Sequence, residues 1–154
     1  MFDAYAAGLV DADGSVIIAK VRLPTPSSRT PDYRLSVQVT NTYLPVLDMM
    51  VEEYGGSVSH KPLTVGSFLT RRQHYNWAVG SHKAAECLQR LLPYMVVKKE
   101  QAELALEFWE QRIVVPGRRC VPQEEIDKRE RYYQAMKRMK EAPPAQIEMR
   151  LKTE

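Results

Sequence analysis

The chain has 154 residues, two cysteines and a formal net charge of +3. This length fits one domain with its own core, and no apolar run approaches the roughly 18 residues that a membrane-spanning helix needs. We expect no signal peptide, because no basic region precedes the small apolar stretch at the N-terminus. Cys87 and Cys120 are too few for a disulfide framework or a zinc cluster. A reducing, intracellular compartment is therefore expected.

The first predicted element is a short helix that ends in acidic residues. Gly8 inside it costs about 1 kcal/mol relative to Ala, which indicates a place where another backbone comes close. Ala4, Gly8 and Ala12 recur at every fourth position and form a stripe nearly free of side chains. Asp11 and Asp13 follow where the helix dipole disfavours acids. A positive partner, such as a divalent metal ion, is therefore expected there.

A long hairpin is predicted next. Residues 15–22 are rich in β-branched side chains, and the period of two places Lys20 and Arg22 on one face. A bulge in the apolar run from Val16 to Ala19 would reverse which of these side chains face outward. After a Pro-rich loop, residues 33–41 alternate cleanly between apolar and polar side chains. The polar, non-acidic face carries Arg34, Ser36, Gln38 and Thr40.

The rest of the chain continues the mixed pattern. We predict a helix over 45–54, a second hairpin over 57–61 and 68–79, and a helix over 82–92 that Pro93 ends. A long helix over 98–112, a linker at 114–117 and a charged helix over 122–142 follow. This order predicts an α+β fold, an antiparallel sheet with helices on one side. We take the chain as one domain, with a core over 1–115 and a C-terminal helical extension over 116–154.

Positive charge is concentrated in one segment. Residues 57–83 contain no Asp or Glu, yet they hold all three histidines and four Lys or Arg residues. This asymmetry suits an anionic partner. Trp77, in the same segment, is interpreted as a core residue, with a groove-facing aromatic as the alternative.

Residues 5–15 read Tyr-Ala-Ala-Gly-Leu-Val-Asp-Ala-Asp-Gly-Ser, which resembles the signature motif of the LAGLIDADG homing endonucleases. Ala6 replaces the first Leu of that motif, and Val10 replaces its Ile. The resemblance extends to residues 91–102 and covers roughly residues 2–112. It implies the α-β-β-α-β-β-α core of that family, whose four-stranded sheet is curved into a saddle over DNA. A single copy of the motif implies a homodimer that packs its signature helices together through Ala4, Ala7, Gly8, Asp11 and Ala12.

The resemblance also implies an activity. It predicts a site-specific endonuclease that hydrolyses both strands of a long, pseudo-palindromic double-stranded DNA target by a divalent-metal mechanism. Asp13 is then the metal-binding acid, and the carbonyl of Ala12 assists it. Mg²⁺ is the expected ion; Mn²⁺ is expected to substitute for it, and Ca²⁺ to support binding without cleavage. For Asp11, capping or hydrogen bonding stays as consistent with the sequence as metal ligation.

Two further active-site residues follow from the resemblance. Lys98 aligns with the family's active-site lysine, with Lys99 as the alternative, and would stabilise charge at the phosphate. Asn41 aligns with a water-positioning polar residue, although a turn-forming Asn is nearly as consistent. Pro45 stands where some relatives carry a basic residue, so Lys61 or Lys98 would have to supply that charge.

The polar strand faces are the expected DNA surface, because a two-stranded ribbon fits the major groove. The candidate DNA-binding residues are Lys20, Arg22, Arg34, Ser36, Gln38 and Thr40 in the first hairpin, and His60, Lys61, Arg71, Arg72, Gln73 and Tyr75 in the second. Two alternatives stay open: a maturase that binds intron RNA on the same fold, and a non-catalytic DNA-binding regulator. We expect no membrane partner, and a location in the cytoplasm of a prokaryote or phage host, or in an organelle.

Overall fold

The computed structural model describes residues 1–21, 31–61, 73–114 and 121–141, with the side chain of Lys61 excepted. The described elements confirm the predicted α+β order. In chain order they are α1 (Phe2–Asp13), β1 (Gly14–Val21), β2 (Asp32–Asn41), α2 (Leu44–Tyr54), β3 (Ser57–Lys61), β4 (His74–Gly80), α3 (Ser81–Leu91), a 3₁₀ turn (Leu92–Tyr94), α4 (Lys99–Gln111) and α5 (Gln123–Glu141).

The four described strands form one open antiparallel sheet in the order β1-β2-β4-β3. Residues of β1 and β2 pair without interruption from Gly14↔Val39 to Val21↔Asp32. The bulge that the apolar run in β1 allowed is therefore absent from this pairing. The alternation of each strand consequently decides which of its side chains face the helices.

All buried strand residues lie on one side of the sheet, which we call the helix face. They are Val16, Ile18, Tyr33, Leu35, Val37, Val39, Trp77 and Val79. The other side, which we call the open face, is polar along β2 and only half-buried. Trp77 is fully buried, and its indole N–H donates to the carbonyl of Gly55 at 2.9 Å. Its interpretation as a core residue is therefore confirmed.

The junction of α1 and β1 depends on Gly14. A Cβ at this position would lie 2.7 Å from the Cα and the carbonyl oxygen of Val10, and 3.0 Å from the carbonyl oxygen of Gln38. Only glycine allows so close an approach of helix end and strand. The φ of Gly14 is −101°, an extended conformation. Close packing, and not a positive φ, is therefore the reason for glycine here.

Helix α5 lies antiparallel to α4 and covers the loop-side end of the paired strands β1 and β2. Glu125, near its start, accepts from the backbone N–H of Ile113 at 2.9 Å, and Tyr132 donates to Glu107 at 2.8 Å. Ile126 and Met136 are buried in the same core as the sheet. The C-terminal helix that we expected as an extension thus packs against the core from Ile126 to Met136.

Candidate functional site

Asp13 is an exposed carboxylate at the end of α1. The pairing of Gly14 with Val39 brings this helix end beside the end of β2. There the amide nitrogen of Asn41 donates to Asp13 Oδ2 at 3.3 Å. Asn41 Oδ1 also accepts from the backbone N–H of Tyr43 at 2.9 Å. Asn41 therefore has the backbone contact of a turn-forming residue and also neighbours the candidate metal ligand. Its role in positioning water stays a prediction.

The second acid, Asp11, binds backbone groups of its own chain. Its Oδ2 accepts from the N–H of Val96 at 2.7 Å and of Val97 at 3.1 Å, and its Oδ1 accepts from the N–H of Lys98 at 2.9 Å. These groups precede the first turn of α4, whose N-cap residue, Lys98, forms no side-chain capping bond. Asp11 thus supplies the cap from another helix. Of the readings left open for Asp11, the geometry favours capping within the chain.

Lys98 lies at the same helix end. Its side-chain nitrogen donates to the backbone carbonyl of Asp11, and the residue is half-buried. Lys99 is exposed. Lys98 and Lys99, which the resemblance left as alternatives, therefore differ in their contacts, since Lys98 contacts the acidic end of α1.

Sequence reasoning missed a third lysine near this point. Because α5 lies antiparallel to α4, its last turn returns to the start of α4, where Lys98 is located. Desolvation and the positive charge of Lys98 both lower the pKa of Lys140. No local pattern could have indicated this proximity, because it depends on how two helices pack.

The open face carries the polar residues predicted on β2. Arg34 is exposed, and Ser36, Gln38 and Thr40 are half-buried. The hydroxyl of Thr40 donates to Asn76 Oδ1 at 2.9 Å, and Thr40 and Asn76 are direct partners across β2 and β4. Asn76 was missed at the sequence level. The alternation of β4 around a buried Trp77 could have placed it on this face.

The prediction that Lys20 lies on the DNA-facing side is wrong. Lys20 pairs with Tyr33 and has the parity of Val16 and Ile18, so it lies on the helix face. Its side-chain nitrogen binds Glu130 Oε2 at 2.7 Å. The same nitrogen lies 5.8 Å from the ring centroid of Tyr33 and 5.9 Å from that of Tyr133.

Among the described residues, Glu130 has two further hydrogen-bond partners besides Lys20. Gln134 donates to its Oε1 at 2.9 Å, and the hydroxyl of Tyr33 donates to its Oε2. Hydrogen bonds from Gln134, Lys20 and Tyr33 lower the pKa of Glu130 to about 2. Burial and the same carboxylate raise the pKa of Tyr33. Glu130 therefore links α5 to the loop-side end of the first hairpin.

The predictions that His60 and Tyr75 lie on the DNA-facing side are also wrong. They pair with each other across β3 and β4 and have the parity of buried Trp77, which places them on the helix face. Their ring centroids are 5.6 Å apart. Gln73 precedes β4, and its amide donates to the backbone carbonyl of His74 at 2.9 Å. Four further candidates, the residues Arg22, Arg71 and Arg72 and the side chain of Lys61, lie outside the part of the chain that the structure describes.

The exposed side of α1 carries the predicted small-residue stripe, but one residue of the predicted dimer interface is buried. Ala4, Gly8 and Ala12 are exposed, and a Cβ at Gly8 would meet no atom within 4 Å. Ala7 is fully buried in the core of its own chain, so it does not belong to the exposed stripe. Exposed apolar side chains accompany the stripe, in α1 itself and in the segment that Asp11 caps: Tyr5, Tyr94, Val96 and Val97.

The described residues contain neither a cluster of metal-ligating side chains nor a membrane-spanning helix. No group of three or more His, Cys, Asp and Glu side chains is arranged there to hold a metal ion. No helix among these residues is long and apolar enough to cross a bilayer. A carboxylate for metal binding would thus come from Asp13, whose oxygens are accessible, in preference to Asp11, whose oxygens already accept three N–H groups.

The arrangement of α1, the antiparallel sheet and the helices on its covered face is the LAGLIDADG homing endonuclease fold. Among similar solved structures is the archaeal intron-encoded homing endonuclease I-Vdi141I complexed with DNA. It has a TM-score of 0.67 and 16% identity, over 94% of this chain and 86% of that chain. The homing endonuclease I-CvuI, in complex with the I-CreI target, has a TM-score of 0.58 and 19% identity, over 86% of this chain and 94% of that chain.

A third structure is about twice as long as this chain. The LAGLIDADG homing endonuclease I-SmaMI, bound to cleaved DNA, has a TM-score of 0.61 and 14% identity. The match covers 87% of this chain and 43% of that one. Comparison with protein-family models gives no match, and neither does comparison with curated proteins.

Proposed function

We propose that the chain is a site-specific homing endonuclease that acts as a homodimer and hydrolyses both strands of double-stranded DNA with a divalent metal ion. One observation carries the proposal. An exposed carboxylate, Asp13, ends α1 beside the amide of Asn41, and Lys98 contacts the same helix end. These are the groups that a metal-assisted phosphodiester hydrolysis requires: a hard oxygen ligand, a polar group that orients water, and a cation.

The metal site would be shared between two chains. Asp13 from each protomer, with the carbonyl of Ala12, would hold Mg²⁺, which prefers oxygen ligands and retains several waters. A bound ion would supply polarisation of the phosphate and a lower pKa of its bound water. In each protomer, Asn41 orients the Asp13 carboxylate, and Lys98 balances negative charge on the phosphate.

The surface of α1 supports self-association. Its stripe of Ala4, Gly8 and Ala12 would let two copies of the helix approach closely, because no side chain of this stripe exceeds a methyl group. The exposed valines Val96 and Val97 would extend the contact. An isologous interface of this kind implies a target with near two-fold symmetry.

The open face supports DNA as the partner. Arg34, Gln38, Thr40 and Asn76 offer donors and acceptors on a sheet surface that the helices leave uncovered. Similar structures were solved with DNA: I-CvuI with the I-CreI target in 2 mM Mg, where the DNA is not cleaved, and with its own target in 2 mM Ca. Both structures contain a divalent metal in the crystal conditions, which supports a divalent ion in the test. The choice of Ca²⁺ for binding and of Mg²⁺ or Mn²⁺ for cleavage is part of the proposal.

The test is selection of binding sites from random double-stranded DNA in Ca²⁺, followed by transfer of the selected duplexes to Mg²⁺. We expect a near-palindromic motif and cleavage of both strands. Asp13→Asn should bind the same motif with little change and abolish cleavage, because it removes a metal ligand and leaves the open face intact. Asp48→Asn, which neutralises an exposed acid of α2, is the matched control and should cut normally.

Other outcomes separate the alternatives. A motif that is bound but cut in neither Mg²⁺ nor Mn²⁺ would favour the non-catalytic regulator. Preference for structured RNA over every duplex would favour the maturase. Full cleavage by Asp13→Asn would contradict the metal assignment.

A further inference from the structure

An acid and a base stand together at the start of β2 on the open face. Asp32 and Arg34 are two residues apart, so both have the parity of Ser36 and Gln38. Arg34 Nε donates to Asp32 Oδ2 at 2.8 Å, and the two side chains are 54% and 37% exposed, respectively. An exposed ion pair contributes little to stability. Its larger consequence is the restriction that it places on the Arg34 side chain.

The surroundings leave the rest of the guanidinium accessible. The partner of Arg34 on β1 is Ala19, whose side chain is a single methyl group. Pairing between β2 and β4 starts only at Ser36↔Gly80, so no described residue of β4 lies beside Arg34. Within the described residues, the Arg34 side chain forms one hydrogen bond, through Nε. The edge formed by Nη1 and Nη2 keeps its donors.

The bond to Asp32 also changes which part of DNA Arg34 favours. An arginine without an acidic neighbour binds phosphates readily. A carboxylate within hydrogen-bonding distance repels an approaching phosphate, since both are negative. It does not repel the uncharged edge of a base. The two parallel donors of Nη1 and Nη2 match O6 and N7 of guanine, the commonest specific contact of arginine in the major groove.

We propose that Asp32 is a positioning residue that orients Arg34 to read one guanine in each half of the DNA target. This inference rests on the proposed function, because it requires DNA on the open face and two protomers per site. It assigns a role to an acid on a surface where negative charge otherwise opposes DNA binding.

The experiment is selection of binding sites from random duplex DNA in Ca²⁺, with sequencing of the bound pools. It compares the wild-type protein with Arg34→Ala, Asp32→Ala and Asp32→Asn. Asp48→Asn is the control for loss of an exposed negative charge. All variants should unfold at the wild-type temperature, because the pair is exposed.

We expect Arg34→Ala to remove a guanine preference at one position of each half-site and to leave the other positions unchanged. Asp32→Ala should weaken the preference at that same position by roughly tenfold, and it should strengthen binding to random DNA. Asp32→Asn should have an intermediate effect, because its amide oxygen can still accept from Nε without the charge. Asp48→Asn should select the wild-type motif.

Three results would overturn the inference alone: a motif unchanged by Arg34→Ala, a guanine preference unchanged by Asp32→Ala, or effects of the two substitutions at different positions. If the wild-type protein selects no motif, the proposed function fails and the inference fails with it.

Discussion

Lys98 is bound to Asp11 at two points. Its backbone N–H donates to Asp11 Oδ1 at 2.9 Å, and its side-chain nitrogen donates to the backbone carbonyl of Asp11. One residue of α1 thus holds both the start of α4 and the lysine that precedes it. The acidic end of α1 is consequently a structural joint as well as a candidate catalytic site, and the two roles belong to different carboxylates.

The first prediction concerns the structural carboxylate. Asp11→Ala removes the acceptor for the N–H groups of Val96, Val97 and Lys98. We expect the free energy of unfolding to fall by about 2–3 kcal/mol, the cost of losing a charged cap. Chemical denaturation measures this, with Asp48→Ala as the control for an exposed acid. An unchanged unfolding midpoint would contradict the capping role.

The second prediction separates the adjacent lysines. Lys98→Met should reduce cleavage of the selected DNA by a factor on the order of 10² or more, because it removes a cation next to the reacting phosphate. Binding in Ca²⁺ should change much less. Lys99→Met removes an exposed charge and should have little effect on the cleavage rate. Single-turnover rates decide the question, and the reverse order of effects would assign the catalytic role to Lys99.

The third prediction concerns Gly8 and self-association. A Cβ here meets no atom of the same chain within 4 Å, so Gly8→Ala should stabilise an isolated protomer by about 1 kcal/mol through helix propensity. Gly8→Leu should weaken a dimer that packs the two α1 stripes together. Sedimentation velocity measures this against Asp48→Leu, which adds the same side chain on α2. Equal dissociation constants for both leucine variants would place the interface elsewhere.

The fourth prediction concerns pH. Partners of Glu130 lower its pKa in the folded chain from 4.5 to about 2. A lowered pKa means that the stabilisation is complete above about pH 4.5 and is lost as the pH falls towards about 2. Glu130→Gln should therefore be less stable than the wild-type chain at neutral pH, with a difference that shrinks across that interval.

Thermal unfolding at a series of pH values tests this prediction. Glu124→Gln, at an exposed position of the same helix, is the matched control and should follow the wild-type curve. A constant gap between Glu130→Gln and the wild-type chain down to pH 2 would show that the carboxylate charge is not the stabilising feature.

Much of the fold was predictable because it depends on neighbours in the sequence. The alternation of β2 and the small residues of α1 each reflect one local requirement, and the structure has the corresponding elements. Asp13 could be singled out in the same way, since it combines a helix end, a following glycine and a strand. The errors occurred at Lys20, His60 and Tyr75, where one alternating pattern fits either face of a strand.

The sequence by itself determined the order of elements, the exposed acid at the end of α1 and the polar side of β2, because each depends on spacings of two to four residues. Only the tertiary structure decided that Asp11 caps α4, that Lys20 forms an ion pair with Glu130 and that Asp32 binds Arg34 on the open face. Those contacts require particular strand registers and helix positions, and these come from packing the whole core around Trp77 and the buried side of α1.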